Sequence, residues 1–149
     1  MATKKNTGII DIDLSVTKKK QFRIDGDDNR IIELNTSDMT IIERLNEVYP
    51  KLESLSARTA ELSDDDVEGG IKALKDVDKE MRELIDYTFD SPISSVCAPD
   101  GSMYDLFNGE FRFEHIITVL LNLYEDNISK EFNSMEKRIN KHTAKYTKK

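Results

Sequence analysis

The sequence contains a single cysteine, Cys97, no tryptophan and no long apolar run among its 149 residues. One cysteine excludes an intramolecular disulfide framework and fits a reducing compartment. The most apolar window, residues 116–123, is interrupted by Thr118 and Asn122 and is too short to span a bilayer. The basic N-terminal residues are not followed by an apolar block, so we expect neither a signal peptide nor a membrane segment.

Sequence motifs that bind nucleotides or metals are also missing. There is no Gly-rich phosphate loop and no dinucleotide-binding fingerprint. Residues 25–29, Asp-Gly-Asp-Asp-Asn, begin like a calcium loop, but Arg30 stands where the loop needs glycine and Thr36 where it needs glutamate. The acidic run at residues 64–66 is explained by helix capping. We therefore predict no cofactor and no metal-binding residues.

The one conceivable pair of nucleophile and base is Cys97 with His115. A turn and a helix start separate these residues in the sequence, and neither a third orienting group nor a Gly-rich oxyanion loop accompanies them. The places four residues after His115 and His142 hold Val119 and Tyr146, so neither histidine has a helical metal-ligand partner. We predict a protein without catalytic residues, not an enzyme, in which Cys97 is a small packed side chain.

Charged residues make up 34% of the chain and aromatic residues 7%, which suits a soluble, helix-rich protein with wide solvated faces. The net charge of −7 is unevenly distributed. Residues 1–24 carry six Lys or Arg against two Asp, and residues 128–149 carry seven against two Glu, so the centre is strongly acidic. This distribution favours pairing with a second copy or with a protein of mixed charge. We do not expect nucleic acid binding, because the acidic body would repel phosphate and the basic tail suits the negative end of a helix dipole.

The N-terminal part has the period of β-strands. Apolar residues alternate with polar ones at Ile10, Ile12, Leu14 and Val16, which predicts a half-buried strand. A second short strand contains Phe22 and Ile24, and a third covers residues 30–34. The intervening turn at residues 25–29 contains Asp-Gly, which favours a hairpin. We expect a small antiparallel hairpin or three-stranded sheet that needs helices to cover one face.

From Ser37 the apolar period lengthens to three and four residues. We predict a helix with Ser37 as N-cap and Asp38 in its first turn, and either a kink or a break at Pro50. A second helix should begin at residues 63–66, Ser-Asp-Asp-Asp, and continue to about Tyr87. The short link between them predicts an antiparallel pair.

The longest pattern is a helical stripe from Phe113 to about Tyr146. At about 1.5 Å per residue this helix is roughly 50 Å long, more than a compact domain of this size needs, so it calls for a partner surface. The predicted fold class is α+β and predominantly helical, in one domain. Its parts are a β-rich region (1–35), a helical hairpin (36–89), a packed apolar loop (90–110) and a long C-terminal helix with a basic tail (111–149).

Two sets of side chains follow from these patterns. The predicted core contains Ile12, Leu14, Phe22, Ile32, Leu34, Ile41, Leu45, Leu52, Leu74, Met81, Ile85, Ile117, Leu120 and Tyr124. The predicted partner or self-association face contains Ile128, Phe132, Met135 and Ile139, which a domain of this size does not need for its own core.

The segments Phe22-Arg23-Ile24, Ile31-Ile32-Glu33-Leu34, Cys97-Ala98-Pro99-Asp100-Gly101-Ser102-Met103-Tyr104 and Lys141-His142-Thr143-Ala144-Lys145-Tyr146 occur in this order around acidic helices. From about Ile9 onward the chain resembles the tail assembly chaperones of tailed phages and prophages of Gram-positive bacteria. No catalytic or ligand motif belongs to the resemblance, so it transfers no functional residue.

The resemblance implies a non-enzymatic chaperone in the host bacterial cytoplasm. Such a protein coats the helical tape-measure protein, keeps it soluble and leaves as tail tube subunits polymerise, so the tape-measure protein and the tail tube protein are the implied partners. It also favours a homo-oligomer. Two alternatives stay open: a structural virion component of the tail or head–tail connector, and a nucleic-acid-associated phage regulator that uses residues 130–149.

Overall fold

The computed structural model describes residues 8–14, 19–61 and 67–147, with side chains as far as residue 137. The chain has an α+β fold that is mostly helical. In chain order the elements are β1 (Lys20–Ile24), β2 (Asp27–Leu34), α1 (Ile41–Thr59), α2 (Val67–Phe89), α3 (Ser94–Cys97), β3 (Leu106–Phe107), β4 (Glu110–Phe111) and α4 (Arg112–Thr147). The predicted fold class is confirmed.

Strands β1 and β2 form the predicted antiparallel hairpin. Its two-residue turn is Asp25-Gly26, where φ is +53° and +70°, as the hairpin turns that match strand twist require. The strands pair in register from Lys20 opposite Leu34 to Arg23 opposite Ile31, and a bulge then separates this part from the pair at the turn. The hairpin therefore begins earlier on its second strand than the prediction of residues 30–34.

The predicted first strand is wrong over the part that the structure describes. Residues 10–14 belong to no strand, and Ile12 and Leu14 are 77% and 80% exposed instead of lying in the core. Val16 lies outside the described residues. The alternation gives the segment an apolar face, but the core is filled by the hairpin and the helices without it.

Helix α1 begins at Ile41, four residues after the predicted N-cap Ser37. The Asn35 side chain accepts from the Ser37 N–H at 3.1 Å, and the Asp38 carboxylate accepts from the Thr40 N–H at 3.0 Å. Two successive side-chain turns of this kind compete with the first turn of a helix. The prediction of Ser37 as N-cap and Asp38 in the first turn is therefore wrong.

Helix α1 continues through Pro50, so the predicted break at this residue is wrong, and a kink stays a prediction. Pro50 is exposed, and the burial of Val48, Leu52 and Leu55 on the opposite face stabilises the helix across it. The predicted cap at residues 63–66 lies outside the described residues. Helix α2 extends two residues past the predicted end at Tyr87.

Helices α1 and α2 are antiparallel, as predicted. The Arg44 Nε near the start of α1 donates to the Thr88 carbonyl near the end of α2 at 2.8 Å. Beside it, the Tyr87 hydroxyl donates to the Glu47 carboxylate at 2.8 Å. These contacts join the N-terminal end of one helix to the C-terminal end of the other.

Helix α4 packs across both helices with its first half. The Phe113 ring lies 6.5 Å from the Tyr49 ring of α1, and the Tyr124 ring lies 5.9 Å from the Phe89 ring of α2. The helix runs from Arg112 to Thr147, one residue longer at each end than the predicted stripe. At about 1.5 Å per residue it is roughly 54 Å long.

The core lies between the hairpin, α1, α2 and the first half of α4. The predicted core residues that are buried are Ile32, Leu34, Ile41, Leu52, Met81, Ile85, Ile117, Leu120 and Tyr124. Phe22, Leu45 and Leu74 are half-buried. Residues 90–110 also contribute, because Ile93, Ala98 and Met103 are fully buried, whereas Leu106 and Phe107 near the end of this segment are 65% and 55% exposed.

Candidate interaction surface

An open groove of about 630 Å³ lies between the tip of the β1–β2 hairpin, α3, the β3–β4 turn and the first turns of α4. Its apolar lining includes Ile24, Ile116 and Leu120, which also belong to or pack against the core. Phe107 and Val119 line the same groove and are 55% and 47% exposed. The groove thus offers apolar surface for side chains that the described part of the chain does not supply.

The polar and charged groups around the groove are paired. The His115 Nδ1 lies 3.1 Å from a carboxylate oxygen of Glu110, and the Arg112 guanidinium lies 3.6 Å from Asp100 and 3.9 Å from Asp105. A hydrogen bond from the Ser102 hydroxyl is the main cause that lowers the pKa of Asp105 from its ordinary value, so this carboxyl group is ionised at neutral pH. Charges held in pairs leave the apolar side chains as the main basis for binding in the groove.

The groove wall at Phe107 belongs to a second, small hairpin that sequence analysis missed. Strands β3 and β4 pair Leu106 with Phe111 across the turn Asn108-Gly109, where φ is +54° and +80°. Asn-Gly between apolar residues is a strong hairpin signal, and it could have identified this turn within the loop. The Arg112 guanidinium lies 6.0 Å from the centre of the Phe107 ring, which favours a cation–π contact.

The segment between α2 and α4 is attached to α2 by Asp78 and Arg82. The Arg82 guanidinium donates to the carbonyls of Ser94, Ala98 and Gly101 at 3.2, 2.8 and 3.2 Å. Asp78 binds Arg82 Nε at 2.8 Å with one carboxylate oxygen and accepts from the Met103 N–H at 2.8 Å with the other. This clamp positions the groove wall that contains Cys97.

Cys97 and His115 line the same groove, although a turn and a helix start separate them in the sequence. Burial raises the pKa of the Cys97 thiol to about 11, so the thiol is protonated at neutral pH. A thiol in this state is a poor nucleophile. The side chain is half-buried, as a small packed residue at the edge of a core would be.

The predicted partner face lies on the second half of α4. Ile128 is half-buried against the core, whereas Phe132 and Met135 are 46% and 38% exposed. The side chain of Ile139 lies outside the described residues. The spacings of four, three and four residues place these positions on one face of the helix.

Past Ile128 the helix leaves the core. Every described side chain from residue 129 to residue 137 is exposed, and α4 continues to Thr147. At about 1.5 Å per residue this half extends roughly 28 Å beyond Ile128. Just before this point the Asn127 side chain donates to the Ser37 hydroxyl and accepts from the Lys20 amine, at 2.8 and 2.9 Å.

The chain matches no protein-family model, no curated protein and no solved structure. Within the part of the chain that the structure describes, no group of three or more His, Cys, Asp or Glu side chains is arranged to hold a metal ion. No helix among the described residues combines the length and the apolar character needed to cross a membrane.

Proposed function

We propose that this chain is a non-enzymatic tail assembly chaperone that binds the helical tape-measure protein of a tailed phage in the host bacterial cytoplasm and keeps it in solution. The observation that carries the proposal is the second half of α4, which leaves the core with Phe132 and Met135 exposed on one face. An apolar stripe on an isolated helix is a typical docking surface for another amphipathic helix.

The groove beside the hairpin supports the same proposal. Its exposed Phe107 and Val119 present apolar surface among paired charges, a surface suited to reversible binding of apolar side chains. A chaperone that must release its client as the tail tube polymerises needs such contacts and no covalent chemistry. The resemblance to tail assembly chaperones supplies the identity of the client, and the exposed surfaces supply a physical means of binding it.

The test is light scattering behind size exclusion on the full chain, mixed with a helical fragment of the tape-measure protein from the same genome. We expect a discrete complex and a fragment that stays in solution. The double variant Phe132→Glu, Met135→Glu should bind the fragment at least about tenfold more weakly and keep its helix content, because both side chains are exposed.

The control variant is Ile42→Glu, Ile71→Glu, which removes two apolar side chains that are 54% and 50% exposed on α1 and α2. It should bind the fragment like the unchanged protein. A chain that ignores the fragment, or one that binds it equally well with Phe132 and Met135 replaced, would contradict the proposal. Recovery of the chain in purified, mature particles would favour the virion component instead.

A further inference from the structure

The partner face on the second half of α4, which contains Phe132 and Met135, is bordered by carboxylates. Since about 3.6 residues make one helical turn, Glu125, Glu131 and Glu136 each lie within about 75° of the centre of this face. Glu131 borders one side of the face, and the other two glutamates border the opposite side. All three are exposed. These three glutamates form an acidic rim around the exposed apolar side chains.

The lysines of the same segment lie on the far side of the helix. By the same geometry, Lys130 and Lys137 are about 170° from the centre of the partner face. Charge is therefore sorted by face, with anions beside the apolar side chains and cations behind them. Solubility alone does not require this sorting, because charges of both signs serve it equally when they are interspersed.

The acidic rim has no charged neighbour along the helix. Side chains three or four positions apart are neighbours on a helix. Around all three rim glutamates, those positions hold only apolar or uncharged polar residues. Asp126, by contrast, has Lys130 four positions later. Among the residues that the structure describes, no ion pair includes a rim glutamate. The rim carboxylates are thus available to the cations of another molecule.

The rim occupies the positions that select a partner when two helices pack. Residues that border the apolar seam of a helix pair form ion pairs between the helices, and these pairs determine which partner is accepted. Glu131 directly precedes Phe132, and Glu136 directly follows Met135, which is the spacing of such bordering positions. A helix with lysine or arginine at its own bordering positions meets opposite charge there, whereas a helix with acidic residues meets like charge.

We infer that the partner face of α4 selects an amphipathic helix whose apolar stripe is bordered by lysine or arginine. The inference names the chemistry of the client segment and rests on the proposed function, which assigns this face to client binding. It concerns the face as far as residue 137. The sequence becomes basic from Arg138 onward, where the side chains lie outside the described residues.

The test uses two synthetic helical peptides with the same leucine stripe, one with lysine and the other with glutamate at the bordering positions. Fluorescence anisotropy measures the affinity of each for the full chain at about 0.15 M salt, where screening acts over about 8 Å. We expect the lysine peptide to bind at least about tenfold more tightly. The double variant Glu131→Lys, Glu136→Lys should reverse this order. Its helix content should stay the same, because both side chains are exposed.

The matched control is Lys130→Glu, Lys137→Glu, which reverses two charges on the far side of the same segment. Its preference for the lysine peptide should stay within about twofold of that of the unchanged protein, because the helix and the salt separate the far side from the peptide. A control that changes the preference as much as the rim variant does would overturn the inference, since net charge would then account for it.

Equal binding of the two peptides by the unchanged protein, or binding of neither, would also overturn the inference. So would a preference that survives in the rim variant. The proposed function is judged separately by the tape-measure fragment, so a chain that binds the fragment without preferring the lysine peptide keeps the function and loses only the selection. An oligomer that the rim variant dissociates and neither peptide displaces would assign the face to a second copy and overturn the inference.

Discussion

Replacing Arg82 with methionine removes one of the side chains of α2 that attach the segment between α2 and α4. Methionine keeps much of the apolar stem but none of the donors, so the change isolates the hydrogen bonds from the packing. The guanidinium donates to the carbonyl of Ala98, which is fully buried, and to that of Ser94, which is 4% exposed. The third acceptor, the carbonyl of Gly101, belongs to an exposed residue that water can reach.

The magnitude follows from the two buried acceptors. A hydrogen bond from a charged donor contributes about 1.5–3 kcal/mol. The Arg82 side chain is 21% exposed and Ser94 keeps a second bond, from the Ala98 N–H, so we expect a loss of about 3 kcal/mol for the variant as a whole. For a chain of this length that corresponds to a melting temperature lower by roughly 6–12 °C.

Urea unfolding followed by circular dichroism measures the free energy of unfolding of the variant. The Met103 N–H donates to the Asp78 carboxylate at 2.8 Å, so its hydrogen exchange reports on the clamp itself. This exchange should become faster in the Arg82→Met variant. The matched control is Lys79→Met, an exposed residue of the same helix, which should change stability by less than about 0.5 kcal/mol. If Arg82→Met and Lys79→Met have equal stabilities, the clamp does not hold the segment and the reasoning is wrong.

Two further predictions concern titratable groups. Burial alone would raise the pKa of Asp38, but hydrogen bonds from Thr40 and Arg44 outweigh it and lower the pKa below the ordinary 3.8. The stabilisation of the fold by the ionised Asp38 carboxylate is therefore complete above about pH 4 and is lost as pH falls through the lower folded-state pKa. The urea midpoints of Asp38→Asn and the unchanged protein should differ at pH 7 and converge in acid. Because burial raises the pKa of Cys97 from 9.0 to about 11, alkylation by iodoacetamide at pH 8 should be on the order of 100-fold slower in the native protein than in urea, and equal rates would contradict this.

Local patterns in the sequence sufficed for the β1–β2 hairpin and for the bounds of α4. Phe22 and Ile24 on one side of Asp-Gly, and Ile32 and Leu34 on the other, alternate with other residues and so predicted both strands of the hairpin. This prediction succeeds because turn chemistry and strand period act over a few residues. The spacing of three and four residues predicted α4 to within one residue at each end. These features depend on neighbours along the chain, and for that reason they can be predicted from the sequence.

Helix starts and short hairpins were harder to predict where two local signals compete. Ser37 has the chemistry of an N-cap, but the Asn35 and Asp38 side chains hold the backbone in turns until Thr40. The Asn108-Gly109 turn carried a usable signal inside a segment that otherwise reads as an irregular loop. In both places the outcome depended on which of several possible hydrogen bonds forms.

The exposure of the N-terminal segment and of the groove depended on the tertiary structure alone. The alternation at Ile10, Ile12 and Leu14 establishes that the segment has an apolar face, but an apolar face does not determine what covers it. Cys97 and His115 line one groove because the segment that follows α2 is folded back on that helix, where Arg82 and Asp86 bind it. By itself the sequence determined the β1–β2 hairpin, the long helices and their apolar faces, since these follow from periodicity. Which faces are covered and which stay exposed was decided by packing, because the core has room for only some of the apolar side chains.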